Sequence, residues 1–225
     1  AGEMGVRLKQ LICDLKISPV VLQKGAMQWL VGDVKASTGI KGIGDFIGKG
    51  IMSKVTNESA VKPEYNGSGI VVLEPTFKHI VLIDVSSWNN SIVLEDGLFL
   101  AAEAGLKQKL VARTNFSSAI AGDEGIFNLS LVGDGVCALE SPVAKSELIE
   151  VELEDDEIKI DGSFAIAWSG SLKFTVEKST KSLVGSAVSG EGLVNVYRGT
   201  GKILMAPVDF NWKIKKLLKK FKKYV

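Results

Sequence analysis

The sequence predicts an all-β protein built from three similar units, and three observations carry that prediction. A short glycine motif recurs at a fixed interval: Gly67-Ser68-Gly69, Gly133-Asp134-Gly135 and Gly199-Thr200-Gly201 start 66 residues apart, twice over. Each motif is followed by an apolar run that ends in proline, at Pro75, Pro142 and Pro207. Between these marks the chain is cut into short β-rich runs by turn dipeptides, at Asp96-Gly97, Asp134-Gly135 and Asp161-Gly162. Self-similarity at a fixed period marks an internal repeat. The units read as β repeats 1–75, 76–142 and 143–207, with a separate segment at 208–225.

Within each unit the elements follow in the same order. An apolar strand precedes a turn glycine: Val20-Val21-Leu22 before Gly25, Ile92-Val93-Leu94 before Gly97, and Ile158-Lys159-Ile160 before Gly162. A bulky apolar stretch comes next, at 27–30, 98–100 and 164–168. Copies two and three then share an Asn between apolar residues, Phe127-Asn128-Leu129 and Val194-Asn195-Val196. Alternation is clearest at 148–153, where Glu150, Val151, Glu152 and Leu153 switch faces with period two. The order in which these strands pair stays open.

The six motif glycines, Gly67, Gly69, Gly133, Gly135, Gly199 and Gly201, read as structural. A GxG between two apolar strands supplies positive φ angles or close backbone contact at a tight corner. A dinucleotide-binding turn instead needs strand, GxGxxG and then a helix, and here a strand and a proline follow.

Two segments depart from the β pattern. In copy one, 42 residues separate Gly25 from Gly67, against 36 and 37 in the other copies. The extra length falls at 37–56, a Gly-rich insertion with interleaved Ile40, Ile43, Phe46 and Ile47. It reads as a loop with a short helical end that covers a sheet edge, a common need of β proteins, ahead of the alternative of a mobile apolar flap. The second segment is the C-terminal tail. Ile214, Leu217, Leu218, Phe221 and Val225 fall on one face of a helix. Lys213, Lys215, Lys216, Lys219, Lys220, Lys222 and Lys223 fill the rest, with Trp212 and Tyr224 at the ends.

Formal net charge is +1, which conceals an asymmetry. Seven of the 27 basic residues lie in the last fifteen positions, leaving 20 basic against 26 acidic side chains elsewhere, or −6. A basic amphipathic helix on an acidic body has two readings: a packing helix, or a contact with an anionic membrane surface or an acidic protein. Each lysine near an anionic surface contributes on the order of 1 kcal/mol, so most of seven would give roughly micromolar affinity. No window of about 20 apolar residues lacks charge, so no transmembrane helix is expected. The first residues, with Glu3, Arg7, Lys9 and Asp14, carry no continuous apolar core and do not read as a secretory signal. Cys13 and Cys137 read as buried thiols of a reducing compartment. The expected location is cytoplasmic, peripheral to a membrane where the tail engages one.

Catalytic chemistry has little to stand on. His79 is the single histidine and sits in a β run. A multi-His metal site is therefore excluded, and neither cysteine has the spacing of a zinc ligand. No P-loop, G-x-S-x-G or H-E-x-x-H occurs. The acids of 147–157 lack calcium-loop spacing, and their alternation with Ile149, Val151 and Leu153 fits a solvated strand face. No catalytic, cofactor or metal residue is assigned, and the chain is read as non-enzymatic.

The chain resembles the AIM24 family. The marks are the insertion after Gly32-Asp33-Val34-Lys35, the segment Asp96-Gly97-Leu98-Phe99-Leu100-Ala101, and Ser189-Gly190-Glu191-Gly192-Leu193 leading into Tyr197-Arg198-Gly199-Thr200-Gly201-Lys202. The resemblance implies three pseudo-repeats of a short double-stranded β-helix, like that of the tryptophan-sensing RNA-binding attenuation protein (TRAP), about a pseudo-threefold axis. It implies assembly into larger rings and supplies no catalytic residues. The expectation is a homo-oligomeric scaffold whose tail, through Trp212 to Lys223, meets an anionic membrane or an acidic partner. The alternative is small-molecule or RNA binding in clefts between the β repeats. RNA ranks lower, because the body is net negative and the three motifs do not repeat a basic residue.

Overall fold

The computed structural model describes residues 7–37, 62–112, 127–161, 164–178 and 193–208. The insertion beyond Ser37 and the tail beyond Val208 lie outside the described residues, as do their predicted helices. Among the described residues the fold is all-β, with strands curling into layered sheets and two short 3-10 turns at Val85–Trp88 and Lys145–Glu147.

Six strands come first: β1 (Ile12–Asp14), β2 (Val20–Leu22), β3 (Met27–Val31), β4 (Val34–Ser37), β5 (Glu64–Gly67) and β6 (Ile70–Leu73). Six more follow: β7 (His79–Asp84), β8 (Ser91–Leu94), β9 (Phe99–Glu103), β10 (Lys107–Ala112), β11 (Phe127–Val132) and β12 (Val136–Ser141). The last four are β13 (Ile149–Asp161), β14 (Ala165–Ser169), β15 (Lys173–Lys178) and β16 (Leu193–Met205). All pairings are antiparallel. In the first set β6 lies between β1 and β3, and β5 between β2 and β4. In the second set β12 lies between β7 and β9, and β11 between β8 and β10. In the last set β13 and β16 each run for 13 residues and serve two layers. The second half of β16 lies between the start of β13 and β14, and its first half between the end of β13 and β15.

Neighbouring sets join through one seam each. At the first seam β2 pairs with β9, with Leu22 opposite Ala101 and Val21 opposite Ala102. At the second, β8 pairs with β14, with Leu94 opposite Ala167 and Val93 opposite Trp168. The outcome is a six-stranded sheet β4-β5-β2-β9-β12-β7, a seven-stranded sheet through β10-β11-β8-β14-β16-β13 with β15 beside β16, and a three-stranded sheet β1-β6-β3.

The glycine motifs make the corners that let strands change layer. Gly67, Gly133 and Gly199 have φ of +128°, +132° and +117°. The second glycines, Gly69, Gly135 and Gly201, pack so tightly on the preceding turn that a Cβ would collide with Val31, Glu103 and Ser169 respectively. In copy one, the Ser68 and Gly69 amides both donate to the Asp33 carbonyl, at 2.9 and 3.1 Å. In copies two and three, one position caps the outgoing strand. Glu103 Oε2 accepts from Val136 N at 2.7 Å, and Ser169 Oγ accepts from Lys202 N at 2.9 Å.

The core is continuous across the second seam. Ile92, Leu94, Leu98, Leu131 and Leu139 pack with Ile166, Ala167 and Leu204. Trp168, Phe174 and Tyr197 form an aromatic trio on the far side, with centroids 5.1–5.7 Å apart. Removing each large apolar side chain from water contributes roughly 1.5–3 kcal/mol.

Candidate functional site

Three-stranded half-layers are the building blocks of these sheets, and two of them lack a counterpart. The six-stranded sheet joins β4-β5-β2 to β9-β12-β7, and the larger sheet joins β10-β11-β8 to β14-β16-β13 in the same way. That leaves β3-β6-β1 at one end of the chain and the β13-β16-β15 half-layer at the other. Among the described residues, β3 pairs only with β6, and β13 only with β16.

The β3 edge is built unlike its counterparts. Its residues Met27, Gln28, Trp29, Leu30 and Val31 carry no charge and no proline, the devices by which edge strands are usually protected. By their ladder partners, Val72, Ala138 and Leu204, each five residues past its motif glycine, Trp29 matches Ala101 and Ala167, and in the same way Leu30 matches Ala102 and Trp168. Those four seam residues are at most 3% exposed, whereas Trp29, Leu30 and Val31 are 49%, 42% and 54% exposed. Each bulge position next to the seam also recurs, at Gln28, Leu100 and Ile166. Leu100 and Ile166 are buried, and Gln28 is exposed, where its Oε1 accepts from Gln10 Nε2 at 2.7 Å.

At the opposite end, the second half of β13 presents Glu157, Ile158, Lys159 and Ile160. Arg198 on β16 gathers the acids there. It donates to Glu157 through Nε at 2.5 Å, and to Glu177 through Nη1 at 2.6 Å and Nη2 at 2.9 Å. Lys159 Nζ lies 3.0 Å from Glu157. The Arg198 hydrogen bonds, with one from Thr175, hold the Glu177 carboxyl down at about 2. Lys159 first, and Arg198 with it, hold Glu157 below the ordinary carboxylate range. Glu157, Lys159, Glu177 and Arg198 are thus paired with each other.

The other candidate residues fall as follows. The six motif glycines sit at the corners described above. Trp212, Lys213, Lys215, Lys216, Leu217, Leu218, Lys219, Lys220, Phe221, Lys222 and Lys223 lie outside the described residues. His79 opens β7 opposite Ser141. Cys13 and Cys137 are free and buried, and burial pushes their thiols up to about 11 and about 12. Among the described residues no three His, Cys, Asp or Glu side chains are grouped to hold a metal ion. No helix among them is long and apolar enough to cross a membrane. The edge residues Trp29, Leu30 and Val31 are not legible as a site from sequence, since run 27–30 looks like its counterparts. The one local hint is the alanines at seam positions 101, 102 and 167, where copy one has large residues.

Known proteins agree with this architecture. A crystal structure of a Streptococcus pyogenes protein, determined by a structural genomics consortium, superposes with a TM-score of 0.65 at 24% identity, covering 97% of this chain and 100% of that one. This likeness concerns the fold alone. An uncharacterised protein of Streptococcus pyogenes serotype M6 is 28% identical over 198 residues, covering 84% of this chain and 77% of the relative. The family model described as mitochondrial biogenesis AIM24 matches residues 4–208, nearly the whole described fold, and the chain belongs to the AIM24 family.

Proposed function

We propose that the protein is a non-enzymatic scaffold that self-associates head to tail, β3 of one copy pairing with the second half of β13 of the next. One observation carries the reading: β3 exposes Trp29 and Leu30 at the positions that both internal seams bury. Continuing the internal register puts Ile160 opposite Trp29, Lys159 opposite Leu30 and Ile158 opposite Val31. The joint would complete another six-stranded layer, β4-like strands outward, in the order seen in β4-β5-β2-β9-β12-β7. It is a heterologous contact, so copies close into a ring if the rotation permits and extend otherwise. A TRAP-like arrangement of double-stranded β-helical repeats, with a pseudo-threefold relation within the chain, belongs to the same reading. The basic tail, 208–225, then supplies contacts with an anionic membrane surface or an acidic protein, multiplied by the number of copies.

Light scattering on the full chain tests the joint. The wild type runs as an oligomer and Leu30→Lys as a monomer. Trp29→Cys with Ile160→Cys yields disulfide-linked oligomers on oxidation, because paired Cα atoms lie within roughly 4.4–6.8 Å. A monomeric wild type, or no cross-link, overturns the proposal. If residues 209–225 cover β3 instead, a chain ending at Val208 gains association that the full chain lacks. Co-sedimentation with anionic and neutral vesicles, for the full chain and one ending at Asn211, tests the tail. Salt-sensitive anionic binding lost on truncation supports it, and absence of binding removes it.

A further inference from the structure

Beyond self-association, a cleft inside one chain has the chemistry of a ligand site. It opens on the second seam, between β8, β10 and β11 on one side and β14 and β15 on the other, and has a volume of about 310 Å³. This is at the lower end of the range for small-molecule sites, roughly 300–1,000 Å³. Val93, Val111, Trp168 and Phe174 supply its apolar lining, Trp168 and Phe174 stacked with centroids 5.7 Å apart.

Asn128 lines this cleft and is 2% exposed. Its Nδ2 donates to the Leu94 carbonyl at 2.7 Å, which fixes the amide orientation. Its Oδ1 is buried and accepts no hydrogen bond. Buried acceptors are nearly always satisfied, so this oxygen has capacity for a donor that the chain does not supply, from water or from a ligand that displaces it. Lys109 also lines the cleft, exposed and without an ion-pair partner among the described residues. Its ammonium supplies positive charge on the same lining.

We infer that this cleft binds a small, largely apolar organic acid carrying an N–H or O–H donor. The donor satisfies Asn128 Oδ1, the apolar body lies against the lining of Val93, Val111, Trp168 and Phe174, and the carboxylate meets Lys109. The site is separate from β3 and the second half of β13, so it stands or falls independently of self-association.

Titrations followed by amide and side-chain NMR test it, with three probes: indole-3-acetate, phenylacetate without the N–H, and indole without the carboxylate. Indole-3-acetate is expected to shift the Asn128 side-chain and Trp168 indole N–H signals saturably. Phenylacetate binds more weakly, because Asn128 Oδ1 stays unsatisfied. Lys109→Ala, an exposed substitution that leaves the core intact, weakens indole-3-acetate about five-fold and leaves indole unchanged. A folded Asn128→Ser chain, checked by circular dichroism, removes the preference for indole-3-acetate over phenylacetate. Absence of saturable shifts with all three probes, shifts confined to residues outside the cleft, or equal binding of indole-3-acetate by Lys109→Ala would overturn the assignment.

Discussion

Glu177 and Arg198, on neighbouring strands β15 and β16, are joined by two parallel hydrogen bonds of 2.6 and 2.9 Å. Arg198 also holds Glu157 on β13, so one guanidinium spans three strands. This ties the β13 edge to the strands behind it.

That bridge gives a pH dependence. The Glu177 carboxyl is held at about 2 in the folded chain, below its usual value near 4.5. Its stabilising effect is complete above the unfolded value and is lost as pH falls from about 4.5 toward 2. Wild type should melt above Glu177→Gln at pH 7, and the gap should close across that acid window. A gap that stays constant down to pH 2 would show that the pair contributes nothing through ionisation.

Gly67 and Gly97 both have positive φ, but their surroundings differ. A Cβ at Gly67 would run into the Asp33 carbonyl, whereas nothing lies within 4 Å of one at Gly97. Gly97→Ala should cost about 1 kcal/mol, the ordinary penalty of a left-handed residue. Gly67→Ala should cost at least about 3 kcal/mol, from a φ of +128° that is nearly reserved to glycine and from a backbone clash. Denaturant melts of the two variants compare the values directly.

Leu94 is fully buried at the second seam, opposite Ala167. Leu94→Ala should destabilise the chain by about 2–5 kcal/mol, because the sheet cannot collapse into the cavity from both sides. Loss below about 1 kcal/mol in urea unfolding would mean that the two sets of strands repack freely.

With thiols pushed to about 11 and about 12, Cys13 and Cys137 carry almost no thiolate at pH 8. A thiol reagent should label neither in the folded protein and both in denaturant. Rapid labelling of folded chains would show that β1 or β12 opens locally.

The corners were legible in the sequence because they need glycine, and glycine at period 66 survives as a signal. Alternation at 151–153 also appears as half-buried Val151, exposed Glu152 and buried Leu153. The edge was illegible for a physical reason. Whether Trp29 is buried depends on a strand far away or in another molecule, not on residues 27–31. The Asn match shows the limit of local similarity as well. Sequence sets Asn128 beside Asn195, yet counting back from Gly133 and Gly199 aligns Leu129 with Asn195. The ladder agrees, with Leu129 opposite Leu94 and Asn195 opposite Ile160. Asn128 thus occupies a place in its own unit that no other asparagine shares, and its cleft role could not be read from the repeat.

The two leftover half-layers give the molecule a direction, with a different surface at each end. A copy damaged only at β3 would still offer an intact β13 end. Under the proposed joint it would join a growing assembly and stop it there, so a minority of such copies would terminate assemblies made mostly of wild-type chains. Lesions at the β3 edge should therefore behave as dominant in a cell expressing both forms, whereas core lesions such as Leu94→Ala, which only lower the folded fraction of their own chain, should be recessive.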